Sequence, residues 1–166
     1  MDKVTELAKM IDHSILHPTF TDADLKRECE IAVKYNVASV CVKPYAVKQA
    51  ADYIKGSDVL NCCVIGFPHG NSSTDVKVFE TDLACKDGAV EIDMVVNIGK
   101  VLSEDWEYVK TDIGRVLDTV EEPRSVSRLD GRDAVSLNIR KQSGTNTVKV
   151  VDDVLACPIR CIPNSL

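Results

Sequence analysis

The chain has 166 residues, 45% of them hydrophobic and 28% charged, with a formal net charge of -6. That length suits one domain with a real hydrophobic core, and an acidic surface without a Lys/Arg cluster argues against nucleic acid or an anionic membrane as partner. Residues 1–10 carry Asp2, Lys3, Glu6 and Lys9, so no apolar leader or spanning segment is expected there, and the seven cysteines read as reduced thiols of a cytoplasmic protein.

Along the chain, an apolar run at 11–16 precedes a helical pattern over 21–35. A strand is expected at 37–42, a helix at 46–55, a strand at 60–67 and a helix at 74–87. A strand at 89–98 and a helix at 103–120 follow. Strand starts at 11, 37, 60 and 89 recur every 23 to 29 residues, the spacing of βα units. Thr21 with Asp24 forms a capping-box pattern, and Ser103 before Glu104 and Asp105 reads as an N-cap. Asn36, Gly56 and Gly88 stand where a left-handed residue ends a helix. One apolar stripe runs through Leu25, Cys29, Ala32 and Val33, another through Trp106, Val109, Ile113, Leu117 and Val120.

Four consecutive βα units imply parallel strands with right-handed crossovers. Strand parity separates an open sheet from a barrel. In 91–97, Glu91, Asp93, Val95 and Asn97 share one face, while Ile92, Met94 and Val96 share the other. An open parallel sheet covered on both sides should be apolar on both. A barrel strand is apolar toward its helix and can be polar toward the interior near the catalytic mouth. Asp12 with Ser14, and Ser39 with Cys41 and Lys43, repeat the polar side. The expected fold is therefore α/β, the first four units of a (β/α)₈ barrel. An open nucleotide-binding sheet is disfavoured, because no glycine-rich phosphate loop follows the first strand.

From residue 122 these habits stop. Glu121-Glu122-Pro123 stands where a fifth strand is due, and all eight aromatic residues lie at or before Tyr108. Residues 1–121 hold 11 Lys and 2 Arg, whereas 122–166 hold 2 Lys and 5 Arg. The expected organisation is a half-barrel over 1–121 and an atypical tail over 122–166, in which 147–155 has room for one strand or helical turn. A complete barrel needs roughly 200 residues at minimum. The tail reads as sequence foreign to the barrel, of the kind a frame change, a retained intron or an alternative exon would supply.

Four motifs carry a family resemblance: Ile11-Asp12-His13-Ser14-Ile15-Leu16, Ala38-Ser39-Val40-Cys41-Val42, Val64-Ile65-Gly66-Phe67-Pro68-His69-Gly70, and Gly88-Ala89-Val90-Glu91-Ile92-Asp93-Met94-Val95-Val96-Asn97. In order and spacing they resemble the first four strands of deoxyribose-phosphate aldolase, over about 120 residues, and Lys77-Val78-Phe79-Glu80 resembles the family as well. The resemblance implies a class I aldolase, an aldehyde-lyase. It would cleave 2-deoxy-D-ribose 5-phosphate reversibly to D-glyceraldehyde 3-phosphate and acetaldehyde through a lysine Schiff base, with no metal or other cofactor.

By the same resemblance Asp93 matches the catalytic aspartate, a proton relay to the covalent intermediates. Asp12, Ser14, Cys41 and Asn97 are expected around the substrate. The family's Lys-Thr-Ser-Thr-Gly motif, which carries the imine lysine, is not found. Lys110-Thr111 falls on a polar helix face, and Lys43 and Lys149 lack the motif. An imine lysine must be neutral to attack, whereas a surface lysine keeps a pKa near about 10.4. Turnover by this chain alone is accordingly not expected, and the alternative is an inactive half-barrel whose open edges invite homo-oligomers or aggregation. His69 is assigned no role. Cys62-Cys63 point to opposite faces of a strand, and Cys157 and Cys161 lack partners at zinc spacing, so no metal is expected.

Overall fold

In the computed structural model the described residues are 3–119, together with the short strands Arg128–Leu129 and Arg132–Asp133. The chain separates into two units, Met1–Ala134 and Val135–Leu166. The second unit, and with it the pattern at 147–155, lies outside the described residues.

Four βα steps build the first unit. Helix α1 (Lys3–Ala8) leads into β1 (Asp12–Ile15) and α2 (Asp22–Tyr35). Strand β2 (Ser39–Val42) passes through a 3₁₀ turn at Pro44–Ala46 into α3 (Val47–Tyr53). Then come β3 (Leu60–Ile65), α4 (Thr74–Lys86), β4 (Glu91–Met94), α5 (Ile98–Leu102) and α6 (Trp106–Leu117). The sheet order is β1-β2-β3-β4 and every pairing is parallel. Among the described residues, β1 pairs only with β2 and β4 only with β3. A separate antiparallel pair joins β5 (Arg128–Leu129) to β6 (Arg132–Asp133).

Local signals set several boundaries. Thr21 and Asp24 close a reciprocal capping box, with Thr21 N donating to Asp24 Oδ2 at 2.9 Å, and Asn36 ends α2 at φ 49°. Leu25, Cys29 and Ala32 bury the expected stripe of α2. Two readings need correction. Helix α1 lies in the segment read only as charged. Ser103 starts no helix: it ends the short α5, Glu104 turns the chain at φ 56°, and Asp105 caps α6 by accepting from Tyr108 N at 3.2 Å. The buried side of α6 is also displaced from the expected stripe. Val109, Asp112 and Val116 are buried, while Trp106 and Leu117 are exposed.

The displacement has an electrostatic cause. Lys77 of α4 and Asp112 of α6 are both fully buried, and Lys77 Nζ donates to Asp112 Oδ2 at 2.5 Å. Thr74 Oγ1 donates to the other carboxylate oxygen at 2.8 Å. Burying two ions is costly unless each is fully partnered. Here the second partner of Lys77 is the carbonyl of Val95, at 3.0 Å, just beyond β4. The pair thus ties two helices to the segment that follows the last strand. The main apolar core lies between sheet and helices, around Ile15, Val40, Val42, Cys63 and Ile65.

Candidate functional site

Side chains alternate across a pleated strand, and the core identifies which face is which. Ile15, Val40, Val42, Cys63 and Ile65 turn toward the helices, with Ile92 and Met94 packed against them. The opposite, inner face therefore carries Ser14, Cys41, Cys62, Val64, Glu91 and Asp93. Register arranges them in rows: Ser14 opposite Cys41, Cys41 opposite Cys62, and Cys62 opposite Glu91. One step nearer the C-terminal ends, Val64 stands opposite Asp93. Asp93 is half-buried beside the loop that Lys77 holds.

Asp12 sits at the first residue of β1, not its C-terminal end, and is exposed. Its side chain nevertheless reaches the middle row. Its carboxylate oxygen and the sulfurs of Cys41 and Cys62 all lie within 4.8 Å of one another. Ser39 Oγ donates to Asp12 Oδ1 at 2.7 Å. Ser14 is exposed on the same face. Asn97 is the N-cap of α5, and its Oδ1 accepts from Lys100 N at 3.1 Å.

The electrostatics of this face run one way. Burial, with the Asp12 carboxylate close by, pushes the Glu91 carboxyl up. The Cys62 thiol is pushed far up by its hydrogen bond with Cys41, by burial, and by the nearby Asp12 and Glu91 carboxylates. Behind the sheet, burial raises the Cys63 thiol to about 12.

At the C-terminal ends of β1–β3 a cavity of about 480 Å³ opens, lined by Leu16, Lys43, Pro44, Val64, Phe67 and Glu80 among others. Ligand sites of parallel α/β folds lie at this end of the strands. Lys43 stands at its rim, its ammonium donating to the carbonyl of His17 at 2.9 Å. Glu80 accepts from Gly66 N at 2.7 Å, which fixes the turn after β3. Gly70, at φ 64°, closes that turn. A Cβ there would stand 1.9 Å from the carbonyl oxygen of Val96, so glycine lets the turn press on the segment between Asp93 and Asn97.

Sequence reasoning gave no site role to Cys62, Glu91 or Gly70. Cys62 and Glu91 were marked by parity, since each alternates with apolar residues in the same phase as Cys41 or Asp93. Gly70 had only its place in a Phe-Pro-His-Gly turn. Among the described residues, no helix is long and apolar enough to cross a membrane.

Residues 6–124 match the family model described as DeoC/LacD family aldolase. The chain is 50% identical over 121 residues to the deoxyribose-phosphate aldolase of Clostridium perfringens, covering 73% of this chain and 54% of that protein. It is 47% identical over 113 residues to the Rhodopirellula baltica deoxyribose-phosphate aldolase, covering 68% of this chain and 47% of the relative. A crystal structure assigned to a deoxyribose-phosphate aldolase of Coccidioides immitis superposes with a TM-score of 0.68 at 37% identity, over 71% of this chain and 47% of that one. The tetrameric deoxyribose phosphate aldolase of Aeropyrum pernix gives 0.57 at 26% identity, over 70% and 51%. The chain thus spans about half the length of the relatives it matches, and that half is the parallel βα array whose inner face carries Cys41, Glu91 and Asp93. The chain belongs to the DeoC/LacD family of aldolases.

Proposed function

We propose that this chain carries the first half of the catalytic barrel of a class I aldolase acting on 2-deoxy-D-ribose 5-phosphate, a step of deoxyribonucleotide catabolism in the cytoplasm. The observation that carries the reading is the register: within a stretch 50% identical over 121 residues to a deoxyribose-phosphate aldolase, the strands turn Asp93 to the same inner face as Cys41 and Ser14. In the proposed chemistry, a lysine amine condenses with the substrate aldehyde and water leaves. The 3-hydroxyl gives up its proton, the C2–C3 bond breaks, and its electron pair moves to the iminium to leave an enamine. D-glyceraldehyde 3-phosphate departs, and protonation and hydrolysis of the enamine release acetaldehyde. Asp93 would relay these protons, Asp12, Ser14 and Cys41 would line the pocket, and Asn97 would shape its rim through α5.

The lysine is the missing party. Among the described residues, Lys43 stands at the mouth with its ammonium engaged by a carbonyl, and Lys77 is buried against Asp112. We therefore assign to the chain alone an inactive half-barrel, a 1–121 half followed by a tail of other origin, which self-associates through the outer edges of β1 and β4. General acid–base help alone is worth about 10²–10⁴-fold, short of the 10⁶-fold or more typical of enzymes. Borohydride reduction with 2-deoxyribose 5-phosphate should leave the mass of the chain unchanged, and a coupled assay should detect no glyceraldehyde 3-phosphate. Joined to the C-terminal half of the Clostridium perfringens relative, the same residues should support trapping and turnover. Asp93→Asn in that hybrid should cut turnover on the order of 10²-fold or more. A hybrid that turns over equally well without the Asp93 carboxylate would refute the assignment.

A further inference from the structure

Cys62 has no part in the aldolase reading, yet it occupies the most chemically loaded spot on the inner face. Cys41 faces it across β2 and β3, and Asp12 reaches both from β1. We infer that Asp12, Cys41 and Cys62 form a binding site for a thiophilic divalent cation of the zinc class, with two thiolates and one carboxylate as ligands and a fourth position open to solvent.

Spacing comes first. The three donor atoms lie within 4.8 Å of one another. Tetrahedral zinc, with bonds of about 2.3 Å to sulfur and about 2.0–2.2 Å to oxygen, needs donors roughly 3.5–4 Å apart. The donors therefore stand within about 1 Å of that spacing. Second, the donors are held before any ion arrives. The β2–β3 ladder sets the two cysteines side by side, and Ser39 Oγ donates to Asp12 Oδ1 at 2.7 Å. A hydrogen bond to a ligating carboxylate is the usual second support of a metal site. Third, the approach is open on one side. Both cysteines are buried and Asp12 is exposed, so an ion enters past the carboxylate and finds sulfur behind it. Glu91, opposite Cys62 in the next strand, adds acidic charge.

Donor type sets selectivity. Two sulfurs favour zinc, cadmium or cobalt and disfavour magnesium and calcium, which take oxygen. Binding is a simple exchange: the cation enters, the two thiols release their protons to solvent, and no electron moves. The inference does not rest on the aldolase reading, since it uses no imine, no substrate and no lysine.

The test uses the full chain, reduced and freed of metal, titrated with Co²⁺. One equivalent should bind, with thiolate-to-cobalt charge-transfer absorption and the visible bands of a tetrahedral site, and Zn²⁺ should displace it. Cys41→Ser and Cys62→Ser should each weaken binding on the order of tenfold or more and reduce the charge-transfer intensity, and Asp12→Asn should weaken binding with the sulfur bands kept. A variant with Cys29, Cys63, Cys85, Cys157 and Cys161 all changed to Ser should bind as the parent does. X-ray absorption at the zinc edge of the unmutated chain should read two sulfurs and two lighter atoms, a measurement that needs no variant to fold. The inference falls if the parent chain binds no Co²⁺, if binding survives loss of either cysteine, or if the zinc shell contains no sulfur or sulfur alone.

Discussion

The two faces of the sheet solve different problems with the same four strands. Toward the helices stand Val40, Val42, Cys63 and Ile65, each 0% exposed, and the covering helices seal them completely. Toward the interior stand Asp12 and Ser14, both exposed, with Glu91 and Asp93 half-buried and Ser39, Cys41, Cys62 and Val64 buried. The helix side is a finished core that owes nothing to chemistry. The inner side keeps carboxylates and thiols where burial alone would select valine. A face that gives up apolar packing for ionisable groups is one whose residues are held for reactivity or binding.

Substitutions can break that contrast. The largest effect should come from the ion pair that the helix layer buries completely, Lys77 with Asp112. Asp112→Ala strands the Lys77 ammonium without its counter-ion and should destabilise the fold by about 3–5 kcal/mol. Replacing both partners, Lys77→Met with Asp112→Leu, should recover most of that loss. Urea unfolding of the three variants measures it, and a double variant as unstable as Asp112→Ala would show that the pair is not the source of the cost. Next, Ile65→Ala should cost about 2–5 kcal/mol by opening a cavity, whereas Ser14→Ala on the exposed inner face should stay within about 0.5 kcal/mol. Equal losses at the two positions would erase the distinction between the faces.

The smallest effect is a pH dependence. The folded state raises the Glu91 carboxyl, chiefly by burial and then by the Asp12 charge. Its ionisation therefore works against folding. The penalty is absent below the ordinary glutamate range and is fully present once pH exceeds the raised value. Glu91→Gln should raise the melting temperature slightly at neutral pH, and the gain should fade as pH drops through the carboxylate range. A gain that persists or grows in acid would contradict the assignment.

What was legible in the sequence was local. Thr21 and Asp24, Asn36 and the four alternating strands could be read because each signal lies within a few residues of what it controls. Parity also fixed the face of Cys41 and Asp93 once the strands were placed. The apposition of Cys41 and Cys62 depends on the register between two strands, which no single segment encodes. Cys62 and Cys63 do turn to opposite faces, but the neighbour that matters to Cys62 is on another strand. Lys77 shows the other limit. Periodicity treats a lysine as solvent-facing, yet in α4 Lys77 and Thr81 are buried while Val76 and Phe79 are exposed, because Asp112 arrives from a helix 35 residues away. Ser103 failed for a third reason: a one-turn helix capped by Asn97 looks, in a hydrophobic pattern, like the start of the helix that follows.

The order β1-β2-β3-β4 has a consequence for how the chain is made. Every rung of the sheet joins residues 21 to 29 positions apart, as in Ser39 with Leu60 and Cys62 with Glu91. Among the described residues, no strand of this sheet waits for a partner from a distant part of the polypeptide. Each βα step can dock on the one before it as it emerges from the ribosome, so assembly can run vectorially from the amino terminus. Closure entropy is then met in small, equal instalments. The strand last to arrive, which bears Asp93, is laid on a template whose helix-side core is already built.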